Sequence, residues 1–133
     1  MAYPTQYRYT KEHEWIDVKG DIATIGITDY AQHELGDVVF VELPAVGATV
    51  TTGKTFGSIE SVKAVSEIFA PASGQVTEAN PELHNKPETV NTDPHGAAWL
   101  VKIKLSNPSE INSLMDATAY QAFIEEKQKE TSA

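Results

Sequence analysis

The feature that most constrains the fold is a series of short, β-prone runs separated by turn residues. The runs 14–18 and 22–27 flank Lys19-Gly20-Asp21, and this spacing predicts a hairpin. Further strands are predicted at 38–43, 55–61, 65–70, 75–78 and 99–105. Many short strands with helix mainly at the end predict a mainly β fold, either a small sandwich or a barrel.

Helical segments are predicted at two places. Thr28 or Asp29 can cap a short internal helix that Gly36 ends. The motif Asn107-Pro108-Ser109-Glu110 predicts the start of a C-terminal helical segment at about 108–128. Residues 80–96 contain three prolines and are predicted to form a long loop. A chain of 133 residues predicts a single domain spanning 1–133.

The charge and the residue composition argue against several functional classes. Ten Lys and Arg against nineteen Asp and Glu give a formal charge of −9, which disfavours nucleic acid and anionic membranes as partners. There is no cysteine, so any thiol redox chemistry must come from a cofactor. The histidines lack metal-ligand spacing and are predicted as surface or loop residues; they are His13, His33, His84 and His95.

The location and the assembly are inferred from what the chain lacks. Residues 1–4 show neither the basic and apolar pattern of a signal peptide nor the Arg-rich character of a transit peptide. No window approaches the 18 apolar residues of a membrane span. We therefore expect a cytoplasmic monomer of bacterial type, or a mitochondrial matrix protein if the chain is a processed organellar form.

Lys63 lies between two β-prone runs of similar length, 55–61 and 65–70, which puts it at or near a hairpin tip. A lysine at a tip is exposed and open, as an acylating enzyme and a swinging arm both require. Val62 and Ala64 are small and apolar, so a modifying enzyme could approach closely. From the spacing alone the signal is weak, because a lysine in a turn is usually an ordinary solvated lysine.

The stretch Glu60-Ser61-Val62-Lys63-Ala64 resembles the lipoylation motif of the glycine cleavage system H protein family. Further blocks resemble the family in the same order, and the resemblance therefore covers nearly the whole chain. These blocks are 12–15, 26–32, 35–44, 71–74, 99–103 and 114–117, together with Tyr120.

The resemblance implies a barrel-sandwich hybrid of the lipoyl/biotinyl type, with a short internal helix and a C-terminal helix. It implies a lipoyl hairpin at about 55–70 and lipoate in amide linkage on Lys63. The residues around that lysine would be recognised by a lipoyl transferase or ligase; they are Glu60, Ser61, Val62 and Ala64.

The resemblance also implies a carrier rather than an enzyme. The lipoyl arm would accept an aminomethyl group at a pyridoxal phosphate-dependent glycine decarboxylase and deliver it to a tetrahydrofolate-dependent aminomethyltransferase. An FAD-containing dihydrolipoamide dehydrogenase would then reoxidise the arm. The lack of cysteine agrees with this relay, because the sulfurs that do redox chemistry would be on the arm.

Two acids are implied to shelter the loaded arm. Glu14 matches the family position associated with pairing to the cargo ammonium, and Glu67 matches a position that is commonly acidic. A carboxylate beside an amine favours the charged ammonium and keeps it from attacking or leaving. The alternative for Glu14 is an ordinary surface acid at the end of a strand.

The chain departs from the family at two places. Glu34 stands where some members have histidine, and His33 lies beside it. Ala98, in Gly96-Ala97-Ala98-Trp99, stands where glycine is common, and this could change the turn unless φ is negative there.

Other carrier functions remain open at this point. The chain could be an H-like protein that relays lipoyl groups to other complexes, or an unmodified scaffold homologue. A biotinyl carrier shares the hairpin lysine, but methionines usually flank that lysine, and Val62 and Ala64 stand there here.

Overall fold

The structure is a computed structural model that describes the backbone of residues 3–132 and the side chains of residues 3–127. Nine described strands form two antiparallel sheets. The larger sheet has the order β1 (Arg8–Tyr9), β2 (Glu14–Lys19), β3 (Ile22–Ile27), β9 (Val101–Leu105), β8 (Gly74–Ala79) and β5 (Thr49–Val50). The smaller sheet has the order β4 (Val38–Glu42), β6 (Thr55–Ser61) and β7 (Val65–Phe69).

The prediction of a mainly β fold with a short internal helix and a C-terminal helix is confirmed. Among the described strands neither sheet closes on itself, so the molecule is a sandwich and not a closed barrel. The predicted hairpin at 14–27 is present as β2 and β3, and Gly20 has a φ of +66° in its turn. That left-handed conformation suits glycine, which has no Cβ.

The core follows from the alternation of side chains along the strands. Residues facing inward from the larger sheet form one buried cluster, which includes Ile16, Ile25, Val76 and Ile103. The inward face of the smaller sheet forms a second cluster, which includes Val41, Ile59 and Ile68. Each fully buried aliphatic side chain of this size stabilises the fold by about 1.5 to 3 kcal/mol.

Helix α1 (Asp29–Leu35) begins and ends where the sequence predicts. Thr28 caps it, because the Thr28 Oγ1 accepts a hydrogen bond of 3.2 Å from the Ala31 N–H. Gly36 ends it with a φ of +80°, and its N–H donates to the Gln32 carbonyl oxygen at 3.0 Å. This helix lies in the connection between the two sheets.

The prediction of a long loop at 80–96 is wrong, because this segment contains the short helices α2 (Glu82–Asn85) and α3 (Thr89–Thr92). Pro81 and Pro87 precede these helices, where a missing N–H costs nothing. Leu83 and Val90 are fully buried and fix the helices against the core of the smaller sheet.

The C-terminal segment, predicted at about 108–128, contains a 3₁₀ helix (Pro108–Ser113) followed by α4 (Ala117–Ser132). Asp116 caps α4, since its Oδ1 accepts a hydrogen bond of 2.8 Å from the Ala119 N–H. Ala117, Tyr120 and Ile124 are buried with Tyr9 and Trp15 in a third cluster. None of the described helices combines the length and the apolar character needed to span a bilayer.

Candidate functional site

The predicted tip of the lysine hairpin is a tight turn between β6 and β7, and Ser61 organises it. The Ser61 N–H donates to the Ala64 carbonyl oxygen at 2.8 Å. The Ser61 Oγ accepts from the Ala64 N–H at 3.1 Å and from the Lys63 N–H at 3.3 Å. Ser61 itself is buried, whereas Glu60, Val62 and Ala64 are exposed. Ser61 therefore sets the shape of the turn, and the side chains of Glu60, Val62 and Ala64 are accessible to a partner protein.

A second contact ties this tip to the loop after α1. The Val62 N–H donates to the Asp37 carbonyl oxygen at 2.9 Å. The stem of Lys63 crosses Gly36, where an added Cβ would lie 3.5 Å from the Lys63 Cε. The backbone of the tip is thus held in place while the Lys63 side chain stays exposed.

A cleft of about 310 Å³ begins beside the tip lysine, since Ala64 and Val65 line one end of it. Aliphatic side chains line much of the cleft. Besides Ala64 and Val65 they are Ile27, Ala31, Leu35, Ile59 and Ile68. Acidic and polar side chains complete the lining; they are Glu12, His13, Glu14, Glu34, Ser66 and Glu67. Such a cleft suits a molecule with an aliphatic body and a cationic end.

Glu14, the first residue of β2, is the buried acid of this cleft, with 2% of its surface exposed. The Thr10 hydroxyl donates to its Oε1 at 2.7 Å, and the Phe69 N–H donates to its Oε2 at 3.3 Å. Burial raises the pKa of Glu14 to about 7, although these two hydrogen bonds favour the ionised form. The charge of Glu14 is therefore poised to respond to a cation in the cleft.

Thr10 holds Glu14 through further hydrogen bonds across a tight turn. The Glu14 N–H donates to the Thr10 Oγ1 at 3.0 Å, and the Thr10 N–H donates to the Glu14 carbonyl oxygen at 2.9 Å. His13 completes the turn with a φ of +71°, which is unusual for a residue with a side chain. Thr10 was not predicted as a site residue, although a hydroxyl residue at the start of a turn is a known signal.

His13 connects the cleft to the C-terminal helix. Its Nδ1 lies 2.8 Å from the Tyr120 hydroxyl, which shares a hydrogen bond of 2.7 Å with the Thr28 Oγ1. Burial and the charge of Lys127 lower the pKa of His13 to about 4, so the ring is neutral near pH 7. The predicted capping residue of α1 and a residue of α4 thus support one wall of the cleft.

His95, predicted like the other histidines to be a surface or loop residue, lies in the turn that follows α3. His95 is buried, and its Nε2 accepts a hydrogen bond of 3.0 Å from the Asp29 N–H. Burial lowers its pKa. Segment 80–96 folds over the start of α1, and Asn91 also donates to the Gly36 carbonyl oxygen at 2.9 Å. Sequence spacing gives no sign of these long-range contacts.

The other predicted acid and the two departures from the family also have defined places. Glu67 lines the same cleft as Glu14 but is exposed, and its Oε2 accepts from the Thr55 hydroxyl at 3.3 Å. Glu34 lines the cleft, whereas the His33 Nε2 lies 3.3 Å from the Asp29 Oδ2. Ala98 is buried and does not have a positive φ, so its Cβ is accommodated.

The described part of the chain lacks the arrangements of side chains that bind metal ions. No group of three or more His, Asp or Glu side chains there is arranged to hold a metal ion. The polar groups of the cleft are four acids, one serine and one neutral histidine, which is a lining that suits an organic cation.

The sandwich, the lysine at the hairpin tip and the adjoining cleft together define a carrier domain. A sequence profile described as "Glycine cleavage H-protein" matches residues 7–127. The chain belongs to this family.

Individual relatives agree with this assignment over almost their full length. The glycine cleavage system H protein of Acidobacterium capsulatum is 61% identical, over 96% of this chain and 98% of that protein. That of Staphylococcus saprophyticus is 55% identical, over 95% of this chain and 100% of that protein. A crystal structure of the H protein of Mycobacterium marinum superposes with a TM-score of 0.83, at 42% identity, over 90% of this chain and 97% of that one.

Proposed function

We propose that the chain is the lipoyl-bearing shuttle of a glycine cleavage system, with lipoate attached to Lys63. The observation that carries the proposal is the adjacency of an exposed tip lysine and a cleft with one buried acid. The aliphatic lining of that cleft fits the hydrocarbon part of the arm, and Glu14 fits a cationic end. When attached, the lipoyl dithiolane would supply a sulfur that takes up the aminomethyl group, and its S–S bond would accept the two electrons released on glycine decarboxylation. The dehydrogenase would later pass those electrons from the resulting dithiol to NAD.

The chain itself supplies attachment, positioning and shelter. Ser61 fixes the turn from which Lys63 protrudes, and the stem of Lys63 passes over Gly36. Glu14 is the acid that pairs with the cargo ammonium, and Thr10 orients its carboxylate. Glu67 lies at the exposed side of the cleft and meets the arm as it enters or leaves.

The partners follow from this relay. They are the pyridoxal phosphate-dependent glycine decarboxylase, the tetrahydrofolate-dependent aminomethyltransferase and the FAD-containing dihydrolipoamide dehydrogenase. A lipoyl transferase or ligase reads the exposed surface of Glu60, Val62 and Ala64. A cytoplasmic location is proposed because the chain is similar in sequence to bacterial proteins such as those above.

Attachment is tested by intact-mass spectrometry of protein from lipoate-replete cells. We expect one lipoyl adduct, which Lys63→Arg abolishes and Lys54→Arg leaves in place. Lys54 is a matched control, since it is exposed and lies just before the start of β6, at the other end of the same hairpin. A biotin adduct, or no adduct with ligase and lipoate present, would overturn the proposal in favour of a biotinyl carrier or an unmodified scaffold.

Shelter is tested separately, by the rate at which the loaded arm loses its aminomethyl group. We expect Glu14→Gln to hasten this loss about tenfold, which corresponds to about 1.4 kcal/mol. Glu67→Gln, a change of the same chemistry at the exposed side, should alter the rate less than threefold, or about 0.7 kcal/mol. Equal rates in the wild type and in Glu14→Gln would remove Glu14 from the shelter without affecting attachment.

A role in relaying lipoyl groups to other complexes is the alternative within the same fold. It would require transfer of the group from Lys63 to a second acceptor lysine. Incubating lipoylated protein with lipoyl transferase and an apo lipoyl domain distinguishes the relay from the shuttle. Only in the relay does this chain lose the mass of the lipoyl group while the lipoyl domain gains it.

A further inference from the structure

Most of the exposed large apolar side chains among the described residues lie on the smaller sheet or at its tip. Among the described residues five such side chains are exposed, and four of them lie on this sheet or at its tip: Val39, Phe40, Val62 and Val65. Exposed apolar residues are normally scattered singly, and a contiguous group marks an interaction surface. The fifth, Val46, lies apart in the turn leading into β5.

Strand register places these side chains in defined rows. Phe40 pairs with Glu60, and Glu60 pairs with Val65, so the three form one row across the sheet. Their neighbours Val41, Ile59 and Ser66 form the adjacent row, in which Val41 and Ile59 are buried. Since side chains alternate along a strand, the Phe40 row faces away from the core.

Acidic side chains share this outward face. The next row on the same side is Glu42, Ser58 and Glu67. This row also lines a shallow concavity of about 370 Å³, together with Leu43, Pro44, Thr55, Phe56 and Gly57. The two rows contain three glutamates and no basic residue.

We propose that this face, defined by the two rows and the concavity, docks an enzyme surface that combines an apolar depression with Lys or Arg side chains at its rim. Phe40 and Val65 would enter the depression, and a cationic side chain would enter the concavity between Glu42 and Glu67. The proposal rests on the proposed function, in which Lys63 must reach into several enzyme active sites.

The charge on the face favours a basic partner over a second copy of this chain. Two copies would bring the same three glutamates together, and like charges within an interface are repulsive. Amide formation on Lys63 would change the formal net charge from −9 to −10 and remove the positive charge from the tip. Modification therefore removes a positive charge beside the face before the carrier meets its partners.

The apolar part is tested by the affinity of lipoylated protein for the cognate glycine decarboxylase, measured by biolayer interferometry. We expect Phe40→Ser to raise the Kd about tenfold, because truncating a central aromatic anchor typically has an effect of this size. Val46→Ser is the matched control, since Val46 is 65% exposed but lies outside the face, and its Kd should stay within twofold. Val65→Ser gives a second variant on the face should Phe40→Ser fold poorly.

The acidic part of the face is tested by double substitutions, each of which replaces two glutamates by glutamine. Glu42→Gln with Glu60→Gln should raise the Kd several-fold and flatten its dependence on salt, because the attraction is screened. Glu88→Gln with Glu125→Gln removes the same charge from exposed positions elsewhere and should leave the salt dependence unchanged.

The outcomes distinguish failure of the docking face from failure of the proposed relay. If wild-type protein does not bind the decarboxylase, the proposed relay fails. If wild type binds and both Phe40→Ser and Val65→Ser bind within twofold of it, the docking face is overturned and the relay stands. Self-association of the wild type that Phe40→Ser abolishes would assign the face to a second copy and would also overturn the proposal.

Discussion

In two tight turns of this molecule a side-chain hydroxyl accepts backbone N–H groups, but one turn exposes its functional residue and the other buries it. In the turn between β6 and β7, the Ser61 hydroxyl oxygen accepts backbone N–H groups and leaves Lys63 in solvent. In the turn between β1 and β2, the Thr10 hydroxyl oxygen accepts the Glu14 N–H, and Glu14 is buried. The difference comes from what packs on each turn: the first is hydrogen-bonded to the loop after α1, and the second packs against an aromatic cluster.

That aromatic cluster is built from distant parts of the chain. Tyr120 of α4 stacks on Tyr9 at 4.8 Å, and Trp15 stacks on Tyr7 at 4.5 Å. Attachment of a cofactor requires exposure, whereas control of a charged cargo requires a low dielectric. The comparison therefore predicts that substitutions beside Glu14 cost stability and that substitutions at the lysine tip do not.

The largest loss of stability from a single substitution is expected from Gly26→Ala, beside the Glu14 turn. A Cβ at Gly26 would lie 2.5 Å from ring atoms of Trp15, whose Nε1–H donates to the Pro94 carbonyl oxygen at 2.9 Å. The ring cannot move without losing that bond, so we expect the free energy of unfolding to fall by about 2 to 3 kcal/mol. Urea unfolding measures this, and a loss below about 0.5 kcal/mol would contradict the packing described here.

The second effect is a pH dependence that belongs to Glu14. Its pKa is about 7 in the folded protein against 4.5 for an unperturbed glutamate, so the folded state holds the proton more tightly. This contribution to stability is fully present below pH 4.5 and is lost as the pH rises through 7. Its full size is about 3 kcal/mol at 1.36 kcal/mol per pH unit.

Glu14→Gln cannot ionise, and we expect it to be more stable relative to the wild type at pH 8 than at pH 5. The measurement is urea unfolding of both proteins at the two values. Glu67→Gln is the control, because Glu67 is exposed and should show no such difference. A Glu14→Gln difference that does not change with pH would mean that Glu14 is not buried as described.

A smaller effect is expected at Thr10, which orients Glu14. Thr10→Val removes the hydroxyl that donates to the Glu14 Oε1, at a cost of about 1 kcal/mol. The pKa of Glu14 should rise further in this variant, because the lost hydrogen bond favoured the ionised form. Thr10→Ser keeps the hydroxyl and should restore the wild-type pKa in a ¹³C NMR titration. Failure of the serine variant to restore it would assign Thr10 a packing role only.

The smallest effect is expected at the tip. The Val62 side chain is 70% exposed, and its backbone rather than its side chain holds the turn to Asp37. Val62→Ala should change the free energy of unfolding by less than about 0.5 kcal/mol. A larger loss would show that the tip is packed, and the contrast between the two turns would disappear.

Local pattern was enough to predict the seven longer strands, the capping of α1 at Thr28 or Asp29 and the position of Lys63 between two strands. These features depend on residues close together in the sequence. The two-residue strands β1 and β5 were not predicted, because so short a run carries no periodicity. The network around Glu14 could not be predicted in this way, because His13 and Tyr120 lie 107 residues apart. The two short helices after β8 were missed for a related reason: buried Leu83 and Val90 stabilise them through contacts with the core.

The central claim is that the buried carboxyl group of Glu14 pairs with the cargo of the arm on Lys63. The most direct test is a ¹³C NMR titration of Glu14 in lipoylated protein with an empty arm and with an aminomethyl-loaded arm. We predict a midpoint near 7 with the empty arm and a clearly lower midpoint with the loaded arm, because the ammonium favours the carboxylate. The same midpoint in both states would contradict the claim.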